Sequence, residues 1–180
     1  DIREFFLSVW RSRLGLVLQN VNLFSGTLSE NLTVFREGIP ASRQREALKH
    51  IEAEDILEVI PGGLSGSISE GGLNISMGQR QLINYARAIL KEPEILVLDE
   101  ATSSVDPGTE KRIQRSTDLI VMNRTALVVA HRLSTVTHAS NILVVQHGVI
   151  AEEGTHEELL RHEGIYAGLC RLQLQGVSNA

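Results

Sequence analysis

The sequence predicts an α/β fold with a mostly parallel sheet and an inserted helical subdomain. Four short runs are continuously apolar, which is typical of parallel strands buried on both faces beneath helices. These runs are Leu14–Leu18, Ile95–Leu98, Ala126–Ala130 and Ile142–Val145. A long helical stretch at roughly Asn20–Leu90 separates the first run from the second. We therefore expect a strand, the helical insertion, then strand, helix, strand, hairpin and terminal helices.

Local signals predict where the helices begin. The predicted helix starts are Ser42, Ser76, Pro107 and Thr155. Ser76 is followed three residues later by Gln79, and Thr155 by Glu158, which are capping-box patterns. Pro107 suits a first helical position, where its missing N–H is not needed. The last apolar run continues through His147-Gly148 into further apolar residues, which predicts a hairpin.

Composition excludes some classes of protein. A length of 180 residues suits one domain with a proper core, and 42% apolar with 22% charged residues is ordinary for a globular chain. The net charge of -5 gives no support to a nucleic-acid partner, so none is expected. Cys170 is the single cysteine, which excludes an internal disulfide. The chain opens on Asp1 in mid-pattern without a signal peptide, and we expect it to be a fragment.

Two acidic residues end the second apolar run. Asp99 and Glu100 follow Ile95–Leu98, which puts carboxylates at the carboxyl edge of the sheet, where α/β folds bind ligands. Asp99 is suited to Mg²⁺, and Glu100 is suited to orienting and polarising a water. Solvated acids are also common at strand ends, so on these residues alone both interpretations stay open.

A small-residue turn precedes the helix that starts at Ser76. Such a turn leaves N–H groups unpaired at a positive helix end, which is a ready anion site. Ser76 adds a hydroxyl, and Gly78 allows a phosphate to approach the backbone. A well-capped helix with no ligand explains the same pattern. His131 differs from the other histidines because it follows directly after the third apolar run. The other histidines are interpreted as structural or exposed, with no metal-ligand spacing among them: His50, His138, His147, His156 and His162.

In their order and spacing, these segments resemble the ATP-binding-cassette (ABC) transporter ATPases, from Asp1 to about Leu172. The segments that carry the resemblance are Ile75–Gln79 as the signature with two changes, Ile95–Glu100 as Walker B, Ala101–Asp106 as the D-loop, His131 as the switch histidine and Gln19 as the Q-loop glutamine. Three further segments are similar to the exporters that fuse membrane and ATPase domains: Leu23–Asn31, Ser69–Gly72 and Gly154–Leu159.

The resemblance implies a P-loop NTPase (RecA-like) fold that binds ATP and Mg²⁺. It implies one nucleotide-binding domain, with 1–19 and 91–180 in the RecA-like core and 20–90 as the helical signature subdomain. The implied partners are a second ABC ATPase domain, as a homo- or heterodimer, and the transmembrane domains of a transporter. The implied location is the cytoplasmic face of the membrane.

The resemblance also implies a role for each site residue. Asp99 and Gln19 are expected to serve Mg²⁺, Glu100 to act as general base and His131 to contact the γ-phosphate. Gln19 is also expected to sense the attacking water. Ser76, Gly78 and Gln79 are expected to cap ATP held by the partner domain, and Asp106 to couple the two sites.

Two departures from the family pattern limit these expectations. Met77 stands where the family commonly has glycine, and the sequence contains no Gly-x-x-x-x-Gly-Lys-[Ser/Thr] loop. Since that loop precedes the Q-loop in the family, we expect an N-terminally truncated domain that is inactive alone. We also expect the Asp99 strand to lack one neighbouring strand.

Three functions remain open at this point. The first is ATP hydrolysis that powers export in the intact parent. The second is a non-catalytic ABC half that only caps ATP bound by a partner subunit, which Met77 and the missing loop favour. The third is a soluble family member in translation or DNA repair, against which the exporter-like segment at Leu23–Asn31 argues.

Overall fold

The computed structural model describes residues 2–19, 21–99, 107–130 and 133–178. The chain divides into two compact units, Asp1–Val129 and Ala130–Ala180, each described by itself below. The domain division predicted from the resemblance, with a helical subdomain at 20–90, stays a prediction.

The first unit alternates helices with short strands. Its elements are α1 (Leu7–Arg13), β1 (Leu14–Val17), β2 (Gly26–Thr27), α2 (Leu28–Thr33), α3 (Ala41–His50), α4 (Ile56–Val59), β3 (Ser67–Ile68), α5 (Met77–Leu90), β4 (Ile95–Asp99), α6 (Pro107–Val121) and β5 (Thr125–Val129). Short 3₁₀ turns lie at Ile2–Glu4, Gly63–Ser65 and Glu70–Gly72.

Three of these strands form the predicted parallel sheet. Its order is β1-β4-β5, and both pairs are parallel. The expectation that the Asp99 strand lacks a neighbour is wrong, because β4 is the central strand. Val17 lies opposite Leu98 on one side of β4, and Val128 lies opposite Leu98 on the other. Backbone hydrogen bonds of β4 are therefore taken up by a strand on each side.

The prediction that these strands are buried on both faces is wrong. Successive side chains point to opposite faces of a sheet, and here burial alternates with them. Leu96 and Leu98 are buried in one cluster with apolar residues of α5 and α6. On the other face, Leu16, Leu127 and Val129 are about half exposed. Continuous apolar runs marked the strands correctly, but within the described residues only one face of the sheet is covered.

The segment between β1 and β4 is the predicted helical insertion, with a two-stranded antiparallel ladder of β2 and β3 added to it. Its core consists of fully buried aliphatic side chains from α2, α3, α4 and α5: Leu28, Leu32, Leu48, Ile56, Leu82 and Ile83. Helix α3 begins at Ala41 after Pro40, so the prediction of Ser42 as its N-cap is wrong. Proline at the N-cap supplies an extended backbone, with φ −69° and ψ 156°, without any side-chain bond.

The insertion and α6 are joined by polar side chains. Arg112 on α6 donates to both carboxylate oxygens of Asp55 and to the Glu52 carbonyl at 3.0 Å. This guanidinium lowers the pKa of Asp55 from its ordinary value. The Tyr85 and Thr117 hydroxyls, on α5 and α6, are hydrogen-bonded at 2.9 Å in the buried interior.

The second unit holds the hairpin and the terminal helices. Its elements are α7 (Leu133–Val136), β6 (Ile142–Gln146), β7 (Val149–Gly154), α8 (His156–Arg161) and α9 (Ile165–Ser178). The predicted hairpin is confirmed, since β6 and β7 are antiparallel around His147-Gly148. Both turn residues have positive φ, 51° and 81°, as a two-residue type I′ turn requires. Among the described residues β6 pairs with β7 alone, and this pair is antiparallel, which corrects the expectation of a parallel strand for the fourth apolar run.

Two carboxylates organise the helices of this unit. The capping box at Thr155 and Glu158 is confirmed at the start of α8. Glu152 of β7 accepts the N–H of Tyr166 at 3.0 Å and that of Ile165, so it caps the first turn of α9. The small core around Ile142, Leu159 and Tyr166 is thereby held between the hairpin and both helices. No helix in the described parts of the chain is long and apolar enough to cross a membrane.

Candidate nucleotide site

Asp99 and Gln19 lie at the same edge of the sheet. Asp99 is the last residue of β4, and Gln19 follows the neighbouring β1 by two residues. Since β1 and β4 are parallel and adjacent, both residues lie at the carboxyl ends of strands. Neighbouring strands of a sheet are about 5 Å apart. Asp99 is half-buried and Gln19 is exposed. The structure therefore brings Asp99 and Gln19 to the same edge of the sheet, and their expected roles toward Mg²⁺ stay predictions.

This edge has the composition that Mg²⁺ uses in nucleotide sites. No group of three or more His, Cys, Asp or Glu side chains in the described residues is arranged to hold a metal. Mg²⁺ bound with nucleotides needs only one or two carboxylates, because phosphate oxygens and water complete its octahedral shell. Asp99, at the end of the strand adjacent to the one that Gln19 follows, fits that requirement.

The segment Ser76–Gln79 forms the first turn of α5. The predicted capping box is confirmed: Ser76 Oγ accepts the Gln79 N–H at 3.2 Å, and Gln79 Oε1 accepts the Ser76 N–H at 2.9 Å. The N–H groups of Met77 and Gly78 lie where a helix has no intrahelical acceptors. The Ser76 hydroxyl and the Gln79 amide nitrogen keep donors to offer. No acidic residue stands in this turn, so the donor set suits an anion such as phosphate.

Gly78 lies at the contact between the first turns of α5 and α6. It is buried, and a Cβ built on it would stand 2.2 Å from Cγ2 of Thr109. Glycine at this position therefore allows α5 and α6 to approach closely. This packing contact concerns the position of a Cβ atom and does not involve the backbone N–H of Gly78. The expected role of that N–H toward phosphate therefore stays a prediction.

Alanine at Gly78 is expected to lower the free energy of unfolding by about 1–3 kcal/mol, because the added methyl overpacks this contact. Urea unfolding followed by circular dichroism measures the effect. Thr109→Ser removes the opposing methyl and keeps the hydroxyl, so adding it to Gly78→Ala should recover most of the loss. A Gly78→Ala chain as stable as the parent, or one that Thr109→Ser does not rescue, contradicts this account of the contact.

Met77 occupies the first position of α5 with its side chain 47% exposed. Its backbone N–H belongs to the same first turn as that of Gly78. The side chain fills no core position, so packing within the unit does not explain methionine here. It adds bulk to the surface over which an anion would approach.

Three of the expected site residues lie outside the described residues: Glu100, Asp106 and His131. Their roles stay predictions. The described neighbours of Glu100 and Asp106 are in place, because β4 ends at Asp99 and α6 begins at Pro107, the predicted helix start.

Sequence reasoning missed a polar cluster that connects α5 to residues on both sides of Gln19 in the sequence. Arg87 and Asn84 on α5 bond to backbone carbonyls far away in the sequence, and Asn31 is completely buried among them. A charged residue inside the apolar stretch Tyr85–Ile89 was a signal that a partner exists, since arginine is rarely buried unpaired. The spacing of Thr27 and Glu30 was a second missed signal, because these residues form a capping box for α2.

Fold and motifs together define an ABC-type domain, and comparison with known proteins agrees. The ABC transporter family model matches residues 3–103. The chain is 45% identical over 174 residues to the ATP-dependent lipid A-core flippase of Escherichia coli (strain K12), covering 96% of this chain and 30% of that protein. The flippase of the same name from Shigella flexneri matches with the same values.

A solved structure of a bacterial Atm1-family ABC exporter with ATP bound has the same fold, with a TM-score of 0.85 and 35% identity. This match covers 96% of the chain and 30% of the exporter chain. The protein described here belongs to the ABC transporter family, and the exporter resemblance and the P-loop NTPase fold are confirmed. The chain spans about 30% of the length of the relatives it matches.

Proposed function

We propose that this chain is the ATP-binding and ATP-hydrolysing domain of an ABC exporter, in which hydrolysis drives transmembrane export of a substrate. The observation that carries the proposal is the first turn of α5, where the signature residues present hydroxyl, amide and backbone donors without an acidic neighbour. The carboxylate edge formed by Asp99 supports it, as does the similarity to an exporter solved with ATP bound.

The proposed roles follow from the chemistry of each side chain. Asp99 and Gln19 hold Mg²⁺, which neutralises phosphate charge during hydrolysis when it is bound. Glu100 orients and polarises the attacking water, and His131 contacts the γ-phosphate. Ser76, Gly78 and Gln79 donate hydrogen bonds to ATP held by the partner domain, and Asp106 couples the two sites.

The proposal includes partners and a location. A second ABC ATPase domain, identical or different, completes each site by offering its bound ATP to the signature donors in the first turn of α5. Transmembrane domains of the transporter receive the motion of domain closure. The domain then lies at the cytoplasmic face of the membrane.

A second candidate is a non-catalytic half that only caps ATP bound by a partner subunit. The exposed Met77 side chain at the first position of α5 favours it. The two candidates differ in whether Glu100 is needed for turnover.

Calorimetry with Mg-ATP, together with an ATPase assay, tests the proposal on the full-length protein and its Glu100→Gln variant. Expected results are micromolar binding, about −8 kcal/mol, in both proteins and hydrolysis only with Glu100. Neither binding nor hydrolysis by the full-length protein on its own supports the capping candidate instead, because that candidate meets ATP only when a partner subunit holds it. The 180-residue chain alone is expected to bind no detectable Mg-ATP, and clear micromolar binding by it would overturn the assignment of phosphate binding to a loop outside these residues.

A further inference from the structure

Arg87 of α5 is hydrogen-bonded to the segment that follows Gln19. Its guanidinium donates to the Asn31 carbonyl at 2.6 Å, to the Asn22 carbonyl at 2.7 Å and to Asn31 Oδ1 at 2.9 Å. The same group lies 5.8 Å from the centre of the Phe24 ring, which adds a cation–π contact. Burial lowers the pKa of Arg87, yet arginine keeps its proton in proteins. The segment is thus held by a permanent charge with three directed bonds.

Asn31 makes this segment a single hydrogen-bonded unit. Its side chain is completely buried, its Nδ2 donates to the carbonyls of Phe24 at 2.9 Å and Thr27 at 3.1 Å, and its Oδ1 also accepts the Phe24 N–H at 2.9 Å. All donors and both acceptor positions of the amide are therefore used. Because Arg87 bonds to both the side chain and the backbone of Asn31, it holds the whole closed loop.

Asn84 anchors the residue that precedes Gln19 in the sequence. Its Nδ2 donates to the Leu18 carbonyl at 3.2 Å, and its side chain is largely buried. Asn84 and Arg87 are three residues apart, so they share one face of α5. The anchored carbonyls of Leu18 and Asn22 lie on either side of Gln19 in the sequence, while Gln19 itself stays exposed.

The helix that carries both anchors also carries the signature turn. Ser76 precedes Asn84 by eight residues, which is about 12 Å along a helix axis. A continuous helix of 14 residues, packed against α2, α3, α6 and β1, is a rigid body over that distance.

We propose that Asn84 and Arg87 are positioning residues that hold Gln19 and the signature turn Ser76–Gln79 of this chain in one fixed arrangement. This rests on the proposed function, because it gives Gln19 and the signature turn their roles. Gln19 then reaches the nucleotide held by this chain, and the signature turn reaches the nucleotide of the partner. The anchors consequently link the geometry of the two sites without touching either nucleotide.

The test uses the full-length protein with Arg87→Lys and Asn84→Ala. Lysine keeps the charge but presents a single ammonium, which does not match three spread acceptors. Arg112→Lys is the matched control, because Arg112 also joins two elements of the first unit through carboxylate and carbonyl acceptors, and these acceptors are on Asp55 and Glu52, outside residues 18–31.

Hydrogen exchange of the Phe24 amide is the first readout, and it needs no ATPase activity. Since this amide donates to Asn31 Oδ1, Arg87→Lys should speed its exchange by about tenfold or more by local opening, with α5 amides unchanged. Arg112→Lys should leave it unchanged. Equal exchange in the parent and Arg87→Lys overturns the inference whether or not the protein hydrolyses ATP. If Arg87→Lys does not fold, Asn84→Ala decides the matter through faster exchange in residues 18–24.

Hydrolysis kinetics are the second readout. Misplacing a catalytic group by an ångström costs up to about 100-fold, so Arg87→Lys should lower kcat by about 10- to 100-fold with little change in KM. In a Gln19→Ala background, Arg87→Lys should lower kcat by less than about threefold, because the side chain that Arg87 positions is already absent. Equal losses in both backgrounds overturn the inference. A parent protein that binds but does not hydrolyse ATP instead contradicts the proposed function, and the exchange result still stands.

Discussion

Replacing Asp99 with asparagine is expected to lower the rate of ATP hydrolysis by the full-length protein by about 10²- to 10³-fold. The amide keeps the size of the carboxylate but removes the negative charge that is proposed to hold Mg²⁺. Metal stabilisation of phosphoryl transfer contributes several kcal/mol, and each 1.4 kcal/mol changes the rate about tenfold. The measurement is kcat at saturating Mg-ATP.

Asp118→Asn is the control for this substitution. Asp118 is an exposed carboxylate on α6 that accepts a hydrogen bond from Gln114 at 3.2 Å. The control removes the same charge from the same unit, away from the sheet edge, and should leave kcat within about twofold because exposed pairs contribute little. An Asp99→Asn protein that retains more than about a tenth of the parent turnover argues against Asp99 as the metal ligand.

Replacing Asn31 with alanine is expected to lower the free energy of unfolding by about 3 kcal/mol or more. Asn31 is completely buried, and its loss removes the partner of the Phe24 N–H, of the Phe24 carbonyl and of one Arg87 donor, together with one bond to the Thr27 carbonyl. A buried polar group without a partner costs about 1–3 kcal/mol, and more when it is charged. Urea unfolding of the chain, followed by circular dichroism, gives the difference.

Asn74 offers a matched comparison for Asn31. Its side chain also closes a loop, by bonds to Ser69 and to the Ser67 carbonyl, but it is exposed. Asn74→Ala should cost only about 1 kcal/mol, because water replaces the lost partners. Equal costs at the two positions would show that burial does not set the strength of the Asn31 cluster.

Local features of this fold could be predicted because their partners are close in the sequence. The capping boxes at Ser76 and Thr155 involve residues three apart, so their spacing alone indicates them. The hairpin turn at His147-Gly148 is short for the same reason. The start of α3 was wrong by a residue or two, because serine and proline both suit a helix start and nothing local separates them.

The candidate site also has a part that could be predicted from sequence and a part that depends on contacts between distant residues. Asp99 could be placed at the carboxyl edge of the sheet from sequence, since it ends an apolar run, whereas Gln19 was indicated by the family resemblance. The polar cluster around Arg87 could not be predicted from sequence, because the hydrogen bonds of Arg87 to Asn31 and Asn22 join residues 56 and 65 positions apart. Apolar content likewise marked the strands without showing that the described residues cover only one face of the sheet.

The sequence by itself determined the family, the element types and the chemistry offered by the signature turn and Asp99, because these depend on residue identity and short spacing. Only the tertiary structure decided that β4 is central, that β6 pairs with β7 outside the parallel sheet, that Gly78 faces Thr109 and that α5 anchors both sides of Gln19. These depend on contacts between distant segments, where many partners satisfy the same apolar or polar pattern and close packing selects one.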